Sequence, residues 1–157
     1  MPADILFVGL GPGKTENLLG QPFVGESGRL LQVIISHATE MAVRDGGVLA
    51  RTPTYFITNM VGCRPCDSKY GPNRDPAPEE IWACVPRVQA THKLVQPALV
   101  ILLGKLTNQF YGSTWACSYH FQHPRYLLGK GGVGSPMYVS YVRRLSEAIA
   151  QTIARRK

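Results

Sequence analysis

No stretch of this sequence approaches the roughly 20 consecutive apolar residues that a helix needs to cross a bilayer. The opening MPADILFVGL has no basic segment leading into a long apolar one, so a secretory leader is not expected. Both absences point to a soluble, intracellular protein, cytoplasmic or nucleoid-associated, with no membrane partner. Cysteine is missing from the first sixty residues and occurs four times in all, at Cys63, Cys66, Cys84 and Cys117. In an intracellular chain that scarcity argues against a disulfide framework and leaves metal ligation or plain burial. Acidic residues are also few, ten against seventeen Lys and Arg, which gives a net charge of +7 and a pI near 9.5. An anionic partner, nucleic acid first, is one reading of that excess, and a merely basic soluble protein is the other. There is no internal repeat and no low-complexity segment.

What is present suits one compact domain over residues 1–157, because 45% of the residues are hydrophobic and the length allows a single sizeable core. Ile5 to Leu10 is a nearly continuous apolar run passing into glycines, as expected of a strand buried on both faces of a parallel sheet. A glycine-rich loop from Gly11 to Gly25 follows. From Glu26 the spacing of Leu30, Leu31, Val33, Ile34, Ile35, Ala38 and Met41 predicts a helix ending near Gly46 and Gly47.

Tyr55 to Val61 reads as a second strand, with Asn59 near its C-terminal end, where open α/β sheets place ligand contacts. Arg64 to Pro78 is an irregular loop. Pro78-Glu79-Glu80 starts a helix well, and Pro86 is expected to interrupt or restart it. Ala98 to Leu103 is the most strand-like run and precedes a short helix from Lys105 to Tyr111. Tyr119 to Gln122 suits a last strand delivering His123, and the segment from Met137 to Arg156 reads as a surface helix with Val139, Val142, Leu145, Ile149 and Ile153 on its apolar face.

The turn Gly9-Leu10-Gly11-Pro12-Gly13 fails as a dinucleotide fingerprint, because Lys14 occupies the third glycine position, proline interrupts the turn and the expected helix starts too late. It fails as a phosphate-binding Walker loop as well, since Val8 stands where the first glycine belongs. A nucleotide hydrolase is further disfavoured by the lack of a carboxylate cluster for magnesium.

Four separated pieces taken together resemble another family. Residues 9–25 (GLGPGKTENLLGQPFVG), 58–65 (TNMVGCRP), 73–84 (NRDPAPEEIWAC) and 123–128 (HPRYLL), with Leu102-Leu103-Gly104 among them, are similar in order and content to the uracil-DNA glycosylase superfamily, most closely its iron–sulfur-containing family 4. The resemblance implies a three-layer α/β/α sandwich around a short parallel sheet, and an enzyme that flips deoxyuridine out of DNA and hydrolyses its N-glycosidic bond. By the same match, Phe23 is the aromatic face on which the base stacks, with a core phenylalanine as the plainer alternative. Asn59 is the amide that reads uracil N3–H and O4, its alternative being a strand-end cap. His123 is the donor to uracil O2, backbone amides of Gly9, Leu10 and Gly11 contact the base, and Arg125 and Lys130 meet DNA phosphates unless they are simply solvated. His37, His92 and His120 have no such context and read as structural or exposed.

Two departures accompany the match. Leu10 stands where the family usually has an acid that orients water or stabilises the sugar cation, and Glu16, matching an acid further along the loop, is the candidate substitute. The family's N-terminal Cys-x2-Cys has no counterpart here, whereas an insertion after Arg64-Pro65 carries Cys66. Four thiolates suffice for a [4Fe–4S] cluster, so Cys63, Cys66, Cys84 and Cys117 are its expected ligands, with zinc or buried, free thiols as the alternatives. The expected protein is a monomeric, monofunctional glycosylase acting on uracil-containing DNA. The competing expectation is a protein of the same fold that binds uracil-containing or single-stranded DNA without cleaving it.

Overall fold

The computed structural model describes residues 2–46 and 51–154. Its sheet contains β1 (Ile5–Gly9), β2 (Tyr55–Asn59), β3 (Leu99–Leu103) and β4 (Ser118–Phe121), all parallel, in the order β2-β1-β3-β4. The helices are α1 (Lys14–Leu19), α2 (Glu26–Gly46), α3 (Pro78–Val95), α4 (Lys105–Tyr111), α5 (Pro124–Leu128) and α6 (Pro136–Ala154).

Every residue of β1 and β3 is buried, which explains why both strands read as unbroken apolar runs. Alternation sorts their side chains between two cores. Ile5, Phe7, Leu99, Ile101 and Leu103 pack with Leu31, Ile34 and Ile35 of α2, Leu127 of α5 and Leu145 of α6. Leu6, Val8, Val100 and Leu102 face the other way, against Ile81 and Val88 of α3 and Tyr111 of α4. The result is the expected three-layer α/β/α sandwich. Each fully buried Leu or Ile contributes about 1.5–3 kcal/mol through the apolar surface it removes from water.

Three sequence expectations need correction. The loop from Gly11 to Gly25 contains α1, a helix with no buried residue and therefore no apolar stripe to announce it. Pro86 does not break α3, which runs unbroken from Pro78 to Val95. Pro86 lies on the exposed side of the helix, as does Trp82, the residue whose carbonyl it deprives of a donor, so the lost bond falls outside the apolar core. Val139 is exposed, and Tyr138, Tyr141 and Val142 carry that turn of α6 into the core instead. The expected helix ends at Gly47 and at Arg155 and Arg156 lie outside the described residues.

The sheet order fixes where a ligand can sit. The chain leaves β1 toward β2 on one side and returns to β3 on the other, so the loops diverge at the C-terminal strand ends and open a crevice there. At the opposite end, Asp4 ties β1 to the start of β2. Its carboxylate accepts from both Arg51 Nη atoms at 2.7 and 2.9 Å and from the Thr54 amide at 2.7 Å.

The Arg51 guanidinium and the Thr54 donors outweigh burial and hold the Asp4 carboxyl down to about 2. The ionised form therefore stabilises the fold above the unfolded carboxylate value near 3.9, and that contribution is lost as pH falls through about 2. Asp4→Asn is expected to lower unfolding free energy at neutral pH by roughly 2 kcal/mol in urea titrations, the gap from the parent chain narrowing as pH is taken from about 5 toward 2.

Candidate active site

The glycine turn after β1, the end of β2, the start of α2 and the segment after β4 enclose a cleft of ≈ 530 Å³, a size suited to a small organic ligand. Gly11, Gly13, Glu16, Phe23, Asn59, His123 and Arg125 line it, so the structure gathers residues more than one hundred positions apart in sequence.

Phe23 enters the cleft wall in an unusual way. Its φ is 54°, in the left-handed region that non-glycine residues seldom occupy, and it is buried. A Cβ on Gly28 would overlap the Phe23 backbone, and a Cβ on Gly9 would overlap the tip of its ring. Two glycines thus make room for one strained aromatic, an arrangement found where function requires a fixed geometry. The Phe23 ring lies 6.4 Å from the His123 ring, centre to centre, at 27°.

Glu16 holds the loop that carries Phe23. One carboxylate oxygen accepts from the Gly13 amide at 3.2 Å and the other from the Gly25 amide at 2.7 Å. These bonds close both ends of the segment containing α1. Nothing in the sequence alone indicates this clasp, because it spans nine residues through a loop with no regular period.

Asn59 is 7% exposed, and its Oδ1, although fully buried, has no hydrogen-bond partner among the described residues. An unpaired buried acceptor costs roughly 1–3 kcal/mol, which a ligand donor would recover. The strand end behind it is fixed by Arg87, whose guanidinium donates to Thr58 Oγ1 at 3.1 Å and to the Asn59 carbonyl.

His123 caps α5, and its Nδ1 accepts from the Arg125 amide at 3.2 Å. Nδ1 is therefore unprotonated, and the neutral ring carries its proton on Nε2. Burial, helped by the Arg125 charge and opposed by Glu16, pushes the imidazole below its ordinary value.

The remaining expected site residues fall in different places. Gly9 underlies Phe23 and Asn59, and Gly11 lines the cleft directly. The Leu10 side chain packs against the α3-side core with Val8 and Met60. Lys130 lies 5.7 Å from the centre of the exposed Tyr126 ring. Lys14, Ser27 and Asn73 line the cleft and were not singled out as site residues from sequence; Lys14 and Asn73, within the quoted residues 9–25 and 73–84, had a signal that pointed to them, and Ser27 had none. Of the other histidines, His37 bonds the Tyr138 hydroxyl, His92 stacks on Trp115 and His120 is exposed.

The four cysteines do not assemble. Cys84 Sγ accepts from the Gly62 amide at 3.5 Å, which brings it beside the Cys63 segment. Cys117 precedes β4, at the far end of the sheet, whereas Cys63 follows the end of β2 three strand positions away, roughly 14 Å across the sheet alone. Among the described residues no group of three or more Cys, His, Asp or Glu is placed to hold a metal. A cluster needs four thiolates converging on one cage, and this arrangement does not supply them.

The histidine geometry makes a direct prediction. In a heteronuclear NMR titration the His123 ring is expected to carry its neutral-state proton on Nε2 and to titrate with a midpoint below about 6.5. A proton on Nδ1, or a midpoint above that value, would contradict the arrangement.

Comparison with known proteins agrees with this geometry. The family model described as Uracil DNA glycosylase superfamily matches residues 2–146. A type-4 uracil-DNA glycosylase from Archaeoglobus fulgidus is 38% identical over 108 residues, covering 69% of this chain and 47% of that protein. Those of Saccharolobus solfataricus and Thermotoga maritima are 35% and 37% identical, covering 69% and 68% of this chain and 44% and 48% of theirs. The chain spans about half the length of these relatives. A cleft at the C-terminal edge of a four-stranded parallel sheet, built by the same segments that the family match covers, identifies the chain as belonging to the uracil-DNA glycosylase superfamily.

Proposed function

We propose that this chain is a DNA glycosylase that extrudes deoxyuridine from DNA inside the cell and hydrolyses its N-glycosidic bond. The observation that carries this reading is the unpaired, buried Oδ1 of Asn59 beside the Phe23 ring. An amide fixed in that place accepts from uracil N3–H and donates to O4, whereas cytosine offers neither group in that pattern. The Phe23 ring supplies the stacking face that a flipped base requires.

Cleavage leaves negative charge on the departing uracil and positive charge on the sugar. Neutral His123 donates its Nε2–H to uracil O2 as that charge develops, without having to lose a proton of its own. Glu16 keeps the loop closed and places a carboxylate in the cleft wall, where its charge favours the cationic sugar. Water completes the substitution, and Arg125 at the cleft mouth meets a phosphate of the bound strand. No step is routed through a metal, because among the described residues Cys63, Cys66, Cys84 and Cys117 do not converge on one site.

One observation favours a second reading. Leu10 packs into the core where the family usually has an acid, so the site relies on His123 and Glu16 alone. A protein that retains uracil-containing DNA without cleaving it is the alternative.

Incubation with a uracil-containing oligonucleotide followed by alkali separates the two. Breakage at uracil only after alkali is expected from a monofunctional glycosylase, with kcat falling about 10²–10³-fold in His123→Ala. Binding without breakage by the parent chain would overturn the catalytic reading.

A further inference from the structure

The loop inserted after Pro65 serves no purpose in the pocket chemistry above, yet it is firmly built. Arg64 donates from Nε to Asn73 Oδ1 at 2.6 Å and from its Nη atoms to the carbonyls of Lys69 and Gly71 at 2.9 and 2.5 Å. Arg74 secures the other flank, with Asp67 at 2.8 Å and both Glu80 oxygens at 2.8 and 2.9 Å. The carbonyls on either side of Tyr70 are thus pinned, while the Tyr70 side chain itself is left outside. That residue is 83% exposed.

The Tyr70 carbonyl accepts from Lys14 Nζ at 3.2 Å, and Lys14 lines the cleft, as does Asn73. The backbone that carries the ring therefore borders the cleft. Lys69 Nζ lies 5.4 Å from the ring centre. A pinned loop that displays an exposed aromatic ring with one ammonium group over a face of it and a second at its backbone has the two features that bind single-stranded nucleic acid: a surface for base stacking and positive charge for the backbone.

We propose that Tyr70 is a stacking platform for a base adjacent to the extruded nucleotide, with Lys14 and Lys69 facing the phosphates on either side. Extrusion unstacks the neighbours of the departing base, and an aromatic carried beside the cleft replaces the lost contact for one of them. This inference rests on the proposed glycosylase reading, since it assumes a flipped nucleotide in the cleft.

The test compares the parent chain, Tyr70→Ala and Tyr70→Trp on single-stranded oligonucleotides. In one set uracil is flanked by ordinary bases, and in the other by tetrahydrofuran residues that keep the phosphates but have no base. On the first set Tyr70→Ala is expected to raise KM roughly tenfold, with Tyr70→Trp restoring it. On the second set the three proteins should be alike. Equal KM values for all three on ordinary flanks, or an equal loss in Tyr70→Ala on both sets, would overturn the stacking role. If the parent chain leaves uracil in place, the glycosylase reading fails, and fluorescence anisotropy on the same oligonucleotides tests Tyr70 separately. There a tenfold weaker Tyr70→Ala complex with base-flanked DNA alone supports the platform, and any other pattern rejects it.

Discussion

The cleft depends on one carboxylate. Glu16 accepts from Gly13 and Gly25 at once, and those two amides bracket the segment that enters the site. That clasp fixes the segment carrying Phe23 in its left-handed backbone, with the Arg29 guanidinium bonded to the Val24 carbonyl beside it. Gly9 and Gly28 are the complementary condition: their missing side chains leave the space that the clasped loop fills. A loop with little secondary structure thereby becomes as defined as the strands beside it.

Around that frame, the parallel sheet supplies the other groups in a simple way. Asn59 ends β2 and His123 follows β4, so the two polar groups reach the same edge from outer strands while the glycine turn leaves β1, one of the two inner strands. The chemistry follows from what each environment does to its group. Among the described residues the Asn59 acceptor has no partner, and burial pushes His123 below its ordinary value while its Nδ1 is taken by the Arg125 amide. An amide lacking a donor and an imidazole lacking an acceptor are what the proposed reading needs, since it pairs them with a pyrimidine's N3–H and O2.

Much of this was legible in the sequence, for definite physical reasons. β1 and β3 could be read because burial on both faces forces continuous apolar runs, and Phe23, Asn59 and His123 because their motifs carry them in a fixed order. The short helix α1 was not legible, since none of its residues is buried and it therefore has no amphipathic period. Pro86 misled because a proline that breaks a buried helix is tolerated where the lost bond falls outside the apolar core. The cysteine set was legible only in part: Cys84 does come beside the Cys63 segment, but number says nothing of position, and the sheet places Cys117 at the opposite end. Tyr70 carried no signal in sequence, because only the pinned carbonyls around it distinguish a displayed ring from an idle one.

The central claim is that Asn59 recognises uracil through N3–H while His123 donates to O2. The most direct measurement is an NMR titration of the isotopically labelled protein with free uracil, cytosine and N3-methyluracil, following the Asn59 side-chain amide and the His123 Nε2–H. Saturable shifts of both signals with uracil, and none with the other two bases, are predicted. Equal responses to all three, or a response to uracil that leaves Asn59 and His123 unmoved, would contradict the account.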